Sequence, residues 1–215
     1  MPNTSLPPHN FVIAIVVRHG HTGLNDPAHP RLRAWENAPL EDEGRAQIQL
    51  TANKLKIYSP KIVYSSDLAR DSQSGMMIAE ILGNIPYEMD FGLRTADMGT
   101  LTGMKEEDVM DRVRRWYERP SEPAPSGDSF NGWARRYWGF MEPKLELARD
   151  VAAFRPSVFV THGRNLAYLD SIYRGVPQDE AVMPYPGGYG TIRSNPEGID
   201  DWKIYGETEP ILADI

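Results

Sequence analysis

A run of seven apolar residues at positions 11–17 limits the fold of this chain more than any other feature. The run reads FVIAIVV, is largely β-branched, and is followed at once by Arg18, His19 and Gly20. A strand that is apolar on both faces is typical of the centre of a parallel sheet, where helices cover each side. The run therefore predicts an α/β structure built around this strand.

A second apolar run, residues 157–160, ends in the same way. It reads SVFV, continues as Thr161, His162 and Gly163, and leads into a stretch of helical character over residues 164–173. Ligands of open α/β sheets bind just beyond the carboxyl ends of the strands. We therefore expect the two His-Gly pairs to meet at one edge of one sheet.

Hydrophobic spacing and turn residues place the other elements along the chain. They predict strands over residues 61–64 and 86–89, a loop entering a strand over residues 184–192, and helices beginning near residues 42, 68, 106 and 130, the last with a kink or break at Pro143. This order predicts a three-layer α/β/α sandwich with a mainly parallel central sheet. We expect a single domain over residues 1–215, with loosely held tails at 1–10 and 206–215.

Composition excludes several classes of function. The formal net charge of −7 argues against nucleic acid or an anionic membrane as a partner, and favours a small-molecule ligand held in a local cationic pocket. The chain has no cysteine, which excludes disulfides, thiolate catalysis and Cys-ligated metals. Residues 1–10 show neither a basic start nor a cleavage signal, so a cytoplasmic location is expected. The oligomeric state stays open, with a homodimer as one option.

Basic side chains gather at the predicted strand ends: Arg18, His19 and His162, with Arg70 in the first turns of the helix after the strand at 61–64. Two guanidinium groups suit a tetrahedral phosphate, and a helix N-terminus also favours an anion. Neighbouring positive charge keeps His19 neutral and nucleophilic. This set favours phosphoryl transfer through a phosphohistidine, with Arg18, Arg70 and His162 stabilising charge in place of a metal.

Several segments in order resemble the histidine phosphatase superfamily, also called the phosphoglycerate-mutase-like family. They are residues 18–25 (RHGHTGLN), 39–44 (PLEDEG), 65–70 (SSDLAR), 127–130 (GDSF) and 161–163 (THG). The resemblance implies a phosphoglycerate-mutase-like fold. It also implies a phosphoric monoester hydrolase of the histidine acid phosphatase type, which acts on a small phosphorylated metabolite and needs neither a cofactor nor a metal.

The resemblance also implies roles for individual residues. His19 would be the phosphorylated nucleophile, while Arg18, Arg70 and His162 would bind the phosphoryl group. Asn25 would be a supporting ligand, and Thr22 would help to shape the loop. The predicted substrate-binding residues are Thr22, Asn25, Arg94, Thr95 and Gly163.

One position departs from the family pattern. The segment in which the family carries Leu-Arg-Glu, whose glutamate protonates the leaving group, reads Leu-Arg-Thr at residues 93–95. The hydroxyl of Thr95 cannot serve as a general acid near neutral pH. Asp97 is the preferred replacement, because residues i and i+2 of an extended segment share a face. A turn carboxylate that caps backbone amides is the equal alternative for Asp97, and Glu106 and Glu107 are the next candidates.

Other functions stay open. A phosphoglycerate mutase needs extra cationic groups and a closing tail, whereas residues 206–215 are acidic. A metal-dependent hydrolase could use His19, His21 and His162 as ligands, although the neighbouring arginines would repel a dication. A non-catalytic phosphate-binding domain is the third alternative, since the family's proton donor is replaced.

For two groups of large side chains, the sequence leaves a role in the site as one of two interpretations. Arg31 and Arg33 are expected in a solvated loop, with substrate contact as the alternative. The aromatic residues of the later helices are expected to pack a core or to line a pocket wall; they are Trp116, Trp133, Tyr137 and Trp138.

Overall fold

The structure is a computed structural model that describes residues 11–25, 28–149, 155–194 and 200–210. Its strands are β1 (Phe11–Arg18), β2 (Ile62–Ser65), β3 (Tyr87–Met89), β4 (Ser157–Thr161), β5 (Val182–Pro184), β6 (Tyr189–Ser194), β7 (Asp200–Tyr205) and β8 (Thr208–Pro210). The α-helices are α1 (Asp42–Leu55), α2 (Ala69–Ile81), α3 (Glu106–Glu118), α4 (Phe130–Arg149) and α5 (Gly163–Arg174).

Strand β1 lies inside a six-stranded sheet whose order is β3-β2-β4-β1-β6-β7. The pairings β3-β2, β2-β4 and β4-β1 are parallel, and the pairings β1-β6 and β6-β7 are antiparallel. The sheet is therefore mixed and mostly parallel, which confirms the predicted fold class.

The alternation of side chains along β1 explains why the strand is apolar throughout. Ile15 and Val17 pack in one core cluster with α1 and α2. Ala14 and Val16 pack in a second cluster with α4 and α5 on the opposite face. Both faces of the strand are thus covered by helices, as the uninterrupted apolar run predicts.

A third core cluster lies beside the sheet and involves α3. Trp116 and Trp133 are 3% and 0% exposed, and both pack here with Leu32 and Leu101. Tyr137 is 0% exposed in the core that covers α4 and α5, and the half-buried Trp138 packs against that core. Of the two options left open for these aromatic residues, the structure shows core packing.

Helix α4 runs from Phe130 to Arg149 with Pro143 inside it, so of the kink or break expected at Pro143 the break does not occur. Residues 208–210 are not a loose tail, because β8 pairs antiparallel with β5. Residues 1–10 and 211–215, the rest of the predicted tails, lie outside the described residues. Within the described ranges, no helix combines the length and the apolar character needed to cross a bilayer.

The start of α1 packs backbone to backbone against the loop that follows β1. A β-carbon at Gly20 would overlap the carbonyl of Gly44, and a β-carbon at Gly44 would overlap the backbone of His21. The His21 amide also donates to Gln47 Oε1 at 2.9 Å, and the Glu41 amide donates to His21 O at 3.2 Å. This contact fixes the loop that carries His19.

A substitution at Gly44 tests the backbone contact. Gly44→Ala should lower the free energy of unfolding by ~1–3 kcal/mol, because the added methyl group overpacks a rigid contact. The matched control Gly139→Ala lies on α4, where an added β-carbon meets no atom within 4 Å. The control should raise the free energy of unfolding by about 0.4–1 kcal/mol. Urea denaturation followed by tryptophan fluorescence measures both changes, and equal shifts in the two variants would contradict the contact.

Candidate active site

The parallel pairing of β1 with β4 brings the two His-Gly pairs together. Arg18 is the register partner of Thr161, and the amide of His19 donates to Thr161 O at 2.9 Å. The imidazole rings of His19 and His162 consequently lie 5.4 Å apart between centroids, at an interplanar angle of 69°. The expectation that both pairs meet at one sheet edge agrees with this placement.

His19 is held in one tautomer inside a buried site. Its side chain is 6% exposed, and Nδ1 lies 2.8 Å from the carbonyl oxygen of Gly20. A carbonyl can only accept, so Nδ1 carries the proton and Nε2 keeps the lone pair. Arg70 Nε donates to Nε2 at 3.2 Å. Burial lowers the pKa of His19 well below its usual range, and the charges of Arg70 and Arg18 lower the pKa further.

Arg70 connects the elements around the site. It lies in the first turn of α2 and is 3% exposed. Its guanidinium donates to Ala34 O at 3.0 Å and to Glu36 O, so the loop before α1 holds it from one side. On the other side, Nη2 lies 3.2 Å from Nδ1 of His162. Arg70 therefore contacts both histidines.

Arg18 is fixed by the chain that follows α5. Its guanidinium is 1% exposed and donates to Pro184 O at 2.9 Å. Gly163 lies directly against it, since a β-carbon there would come within 3.2 Å of the Arg18 Cζ and would overlap the sulfur of Met183. Glycine at position 163 thus allows the buried guanidinium to lie beside the start of α5.

These side chains line a small cavity of about 60 Å³ that opens to solvent. Besides Arg18, His19, Arg70 and His162, its wall includes Arg33, Thr95, Gly163, Arg164 and Met183. Arg33, expected in a solvated loop, therefore lines the cavity, as the alternative interpretation allowed. Arg164 donates to the hydroxyl of Tyr117 at 3.1 Å and lies over the ring of Trp116 at 5.4 Å. The cavity concentrates positive charge in a protein of net charge −7.

The structure does not bring Asp97 to the cavity. Its Oδ1 accepts from the amide of Gly99 at 2.8 Å, and its own amide donates to Asp128 Oδ2 at 3.0 Å. The side chain serves the turn, which was the alternative interpretation, because Gly99 turns the chain with a φ of +53° and leaves its amide to be capped. Thr95 does lie on the wall of the cavity and is 5% exposed.

Three other predicted substrate contacts are placed away from the cavity wall. The amide and hydroxyl of Thr22 both donate to Asn25 Oδ1, at 3.0 and 2.9 Å, and so close the loop after β1. Arg94 forms a bidentate ion pair with Asp67 at 2.6 and 2.7 Å. The Arg94 pairing lowers the pKa of Asp67. These residues shape the surroundings of the site in the described structure.

The predicted alternative ligand set does not assemble. His21 Nδ1 lies 3.5 Å from Glu41 Oε2 and forms no group with His19 and His162. In the described part of the chain, no three side chains of His, Cys, Asp or Glu come together as a metal-holding group.

Two residues around the site were not predicted from the sequence. Arg136 on α4 donates to the carbonyls of Phe91, Arg94 and Thr95, each at 3.1 Å, and so holds the segment that carries Thr95. Asp71 lies behind His162 and is fully buried. A sequence signal for Asp71 existed, since it shares the helical spacing i, i+4 and i+7 with the buried Gly75 and Ile78 of α2.

Comparisons with known proteins give the class of the fold and site. Residues 14–185 match the model of the Histidine phosphatase superfamily (branch 1). Probable phosphoglycerate mutase GpmB of Yersinia pestis (strain Pestoides F) is 30% identical over 167 residues, which cover 75% of this chain and 74% of that protein. The chain therefore belongs to the histidine phosphatase superfamily.

Solved structures share the fold at lower identity. A mycobacterial glucosyl-3-phosphoglycerate phosphatase matches with a TM-score of 0.71 and 22% identity, over 89% of this chain and 96% of that chain. Phosphoglycerate mutase of Thermus thermophilus matches with a TM-score of 0.64 and 24% identity, over 90% of this chain and 99% of that chain. Both phosphatases and mutases thus occur among proteins that are similar to this one.

The lowered pKa of His19 predicts a pH dependence of stability. In the unfolded chain, His19 has the ordinary histidine pKa of 6.5. Below this pH the unfolded chain binds a proton at His19 that the folded chain does not bind, so the free energy of unfolding falls as pH falls. In His19→Asn this contribution is missing. From pH 6.5 to about pH 5.5, the wild type should lose about 1 kcal/mol of unfolding free energy relative to the variant. Urea titrations of both proteins measure this difference, and parallel pH curves would refute the expectation.

Proposed function

We propose that the protein is a phosphomonoesterase that transfers the phosphoryl group of a small phosphorylated metabolite to His19 and then to water, without a metal ion. The observation that carries the proposal is the orientation of the His19 ring. Nδ1–H donates to Gly20 O at 2.8 Å, and the Nε2 lone pair faces Arg70 Nε at 3.2 Å. A neutral imidazole held this way in a cationic cavity is suited to attack phosphorus.

The first chemical step forms the phosphoenzyme. Nε2 of His19 bonds to phosphorus while the bond between phosphorus and the ester oxygen breaks. Arg18, Arg70 and His162 surround His19; the two guanidinium groups offset the charge on the phosphoryl oxygens, and neutral His162 can donate a hydrogen bond. In the second step, water attacks the phosphohistidine, the bond between nitrogen and phosphorus breaks, and inorganic phosphate leaves neutral His19 behind.

The outer part of the cavity favours an ester with a second anionic group. Arg33 and Arg164 line the cavity beside the phosphoryl-binding set, so its positive charge exceeds what a single phosphoryl group needs. A carboxylate on the alcohol portion of the substrate would meet these guanidinium groups. The name of the mycobacterial neighbour, a glucosyl-3-phosphoglycerate phosphatase, agrees with such a substrate.

Phosphoglycerate mutase activity is the second candidate, because the Yersinia relative carries that name. A mutase returns the phosphoryl group to a substrate hydroxyl and must hold a doubly phosphorylated intermediate against water. The acidic segment at residues 206–215 disfavours closure over such an intermediate. Incubation with phosphoglycerates separates the candidates, since a hydrolase releases inorganic phosphate and a mutase interconverts the isomers.

Hydrolysis of p-nitrophenyl phosphate should survive full chelation. We expect the rate in excess EDTA to equal the rate without chelator, because arginines and His162 supply the charge stabilisation. Colour release measured before and after dialysis against EDTA tests this. Loss of activity that is restored by zinc or manganese would move the assignment to a metal-dependent hydrolase.

A phosphoenzyme should form at His19. After acid quenching at short times, protein incubated with a ³²P-labelled ester should carry label that is acid-labile and alkali-stable, as a phosphoramidate is. His19→Ala should remove the label and reduce turnover by ~10⁴-fold or more, as loss of an enzyme nucleophile does. His162→Ala should reduce turnover by ~10²–10³-fold, because a hydrogen-bond donor to the transition state is lost. Label that persists in His19→Ala would exclude this mechanism.

A further inference from the structure

Asp71 is a fully buried carboxyl group that lies next to the site but outside its cavity. It follows Arg70 in α2, is 0% exposed, and has Oδ2 at 3.2 Å from His162 Nε2 and at 3.8 Å from Arg70 Nε. Neither oxygen has a partner with hydrogen-bond geometry in the described ranges. Burial of an ionised carboxylate that accepts no hydrogen bond is strongly unfavourable, so this position favours the protonated acid.

The groups around Asp71 also affect the pKa of its carboxyl group. Burial raises the pKa of Asp71 to about 8, although the positive charge of Arg70 opposes this rise. The negative charge of Asp67 raises the pKa further. Tyr87, on β3, is the other titratable group that senses Asp71, and burial raises the pKa of its hydroxyl. At neutral pH, the carboxyl group of Asp71 therefore retains a proton.

The ring of His162 spans the distance between Asp71 and the cavity. Its Nε2 faces Asp71 Oδ2 at 3.2 Å and Ser66 Oγ at 3.3 Å. Its Nδ1 lies on the other side of the ring, 3.2 Å from Arg70 Nη2. Burial lowers the pKa of His162 well below its usual range, and the charged or titratable groups that lower it further are Arg70, His19, Arg18 and Arg136. The ring is therefore neutral at rest. Because the guanidinium of Arg70 can only donate, Nδ1 accepts and the resting proton of the ring lies on Nε2.

We propose that Asp71 and His162 together supply the proton that the leaving oxygen needs, in place of the glutamate that Thr95 replaces. His162 contacts the ester, and Asp71 is a positioning residue that acts through the His162 ring. The inference rests on the proposed phosphomonoesterase function. It is carried by the 3.2 Å contact between Oδ2 of the fully buried Asp71 and Nε2 of His162, a histidine that lines the cavity.

The proton balance closes over both chemical steps. When the substrate binds, Arg70 donates to the phosphoryl oxygens and no longer to Nδ1 of His162. The ring then moves its one proton from Nε2 to Nδ1, so that Nδ1–H points toward the ester oxygen and the Nε2 lone pair accepts from the Asp71 carboxyl group. As the bond between phosphorus and oxygen breaks, Nδ1–H protonates the leaving oxygen, and the Asp71 carboxyl proton moves to Nε2. In the second step, the attacking water gives a proton to Nδ1, and Nε2–H returns its proton to the Asp71 carboxylate. His162 changes tautomer in each step and never holds an extra charge.

The test compares two leaving groups. An alkoxide leaves poorly without a proton, whereas nitrophenolate leaves readily. Asp71→Asn keeps the size of the side chain but has no acidic proton. Its kcat for an alkyl phosphate such as glycerol phosphate should fall by ~10²–10⁴-fold, the range of general acid catalysis. Its kcat for p-nitrophenyl phosphate should change little. Asp71→Glu, which restores a carboxyl group, should recover part of the alkyl phosphate turnover.

The pH profile provides a readout that a purely structural role does not change. In the wild type, the ratio of alkyl to aryl kcat should fall as pH rises past about 8, where Asp71 loses its proton. In Asp71→Asn this fall should be missing. The matched control is Asp170→Asn on α5, because Asp170 is also buried, at 2% exposed, but pairs with Arg174 and the amide of Val182. The control should keep the wild-type ratio at every pH.

Each outcome decides between the interpretations. Equal slowing of both esters in Asp71→Asn, or slowing of neither, overturns the inference. Should Asp71→Asn fail to fold by circular dichroism, the wild-type pH profile still decides, since a ratio that stays constant with pH overturns it. A wild type that hydrolyses neither ester and forms no label at His19 would refute the proposed function itself. If aryl phosphate turnover is normal and His19 is labelled, but Asp71→Asn leaves alkyl phosphate turnover unchanged, then this inference alone is refuted.

Discussion

The parallel hydrogen bonding between β1 and β4 is the interaction on which the site depends. It places Arg18 beside Thr161 in register, so the residues that follow, His19 and His162, leave the sheet at the same edge. The amide of His19 donates to Thr161 O at 2.9 Å, which carries the pairing one residue into the site. A one-residue slip in this register would point one of the two histidines away from the cavity, because side chains alternate across a strand.

Burial of positive charge determines the chemistry of the site. Arg18 and Arg70 are 1% and 3% exposed, and both donate to backbone carbonyls that solvate their guanidinium groups partly. Burial of the rings lowers the pKa of His19 and His162, and the charges of the guanidinium groups lower it further, so both rings are neutral where an anionic ester would bind. The same burial raises the pKa of Asp71 to about 8. One low-dielectric environment thus keeps two bases unprotonated and one acid protonated, which is the arrangement that proton transfer at neutral pH requires.

Loop contacts set by tertiary structure explain where prediction from the sequence fails at individual residues. The preference for Asp97 as a proton donor assumes an extended segment that points it to the same face as Thr95. The Asp97 carboxylate instead caps the amide of Gly99, where the chain turns with a φ of +53°, and the Asp97 amide donates to Asp128. Arg33 is expected in solvent, yet it lines the cavity. The Asp97 cap is a local contact, which the sequence offered as an equal alternative without deciding for it. The position of Arg33 depends on how segments distant in sequence pack.

The sequence by itself determined the central strand, the α/β class and the cluster of Arg18, His19, Arg70 and His162. These signals were sufficient for two reasons. A strand that is apolar on both faces lies inside a parallel sheet covered by helices, and ligands of such sheets bind at the carboxyl ends of the strands. Only the tertiary structure decided which acid faces the site. Asp71 is four residues from Gly75 on the buried side of α2, but its contact with His162 joins residues 71 and 162 across β2 and β4. Such a contact depends on the docking of a helix against a distant strand end, and no local pattern encodes that distance.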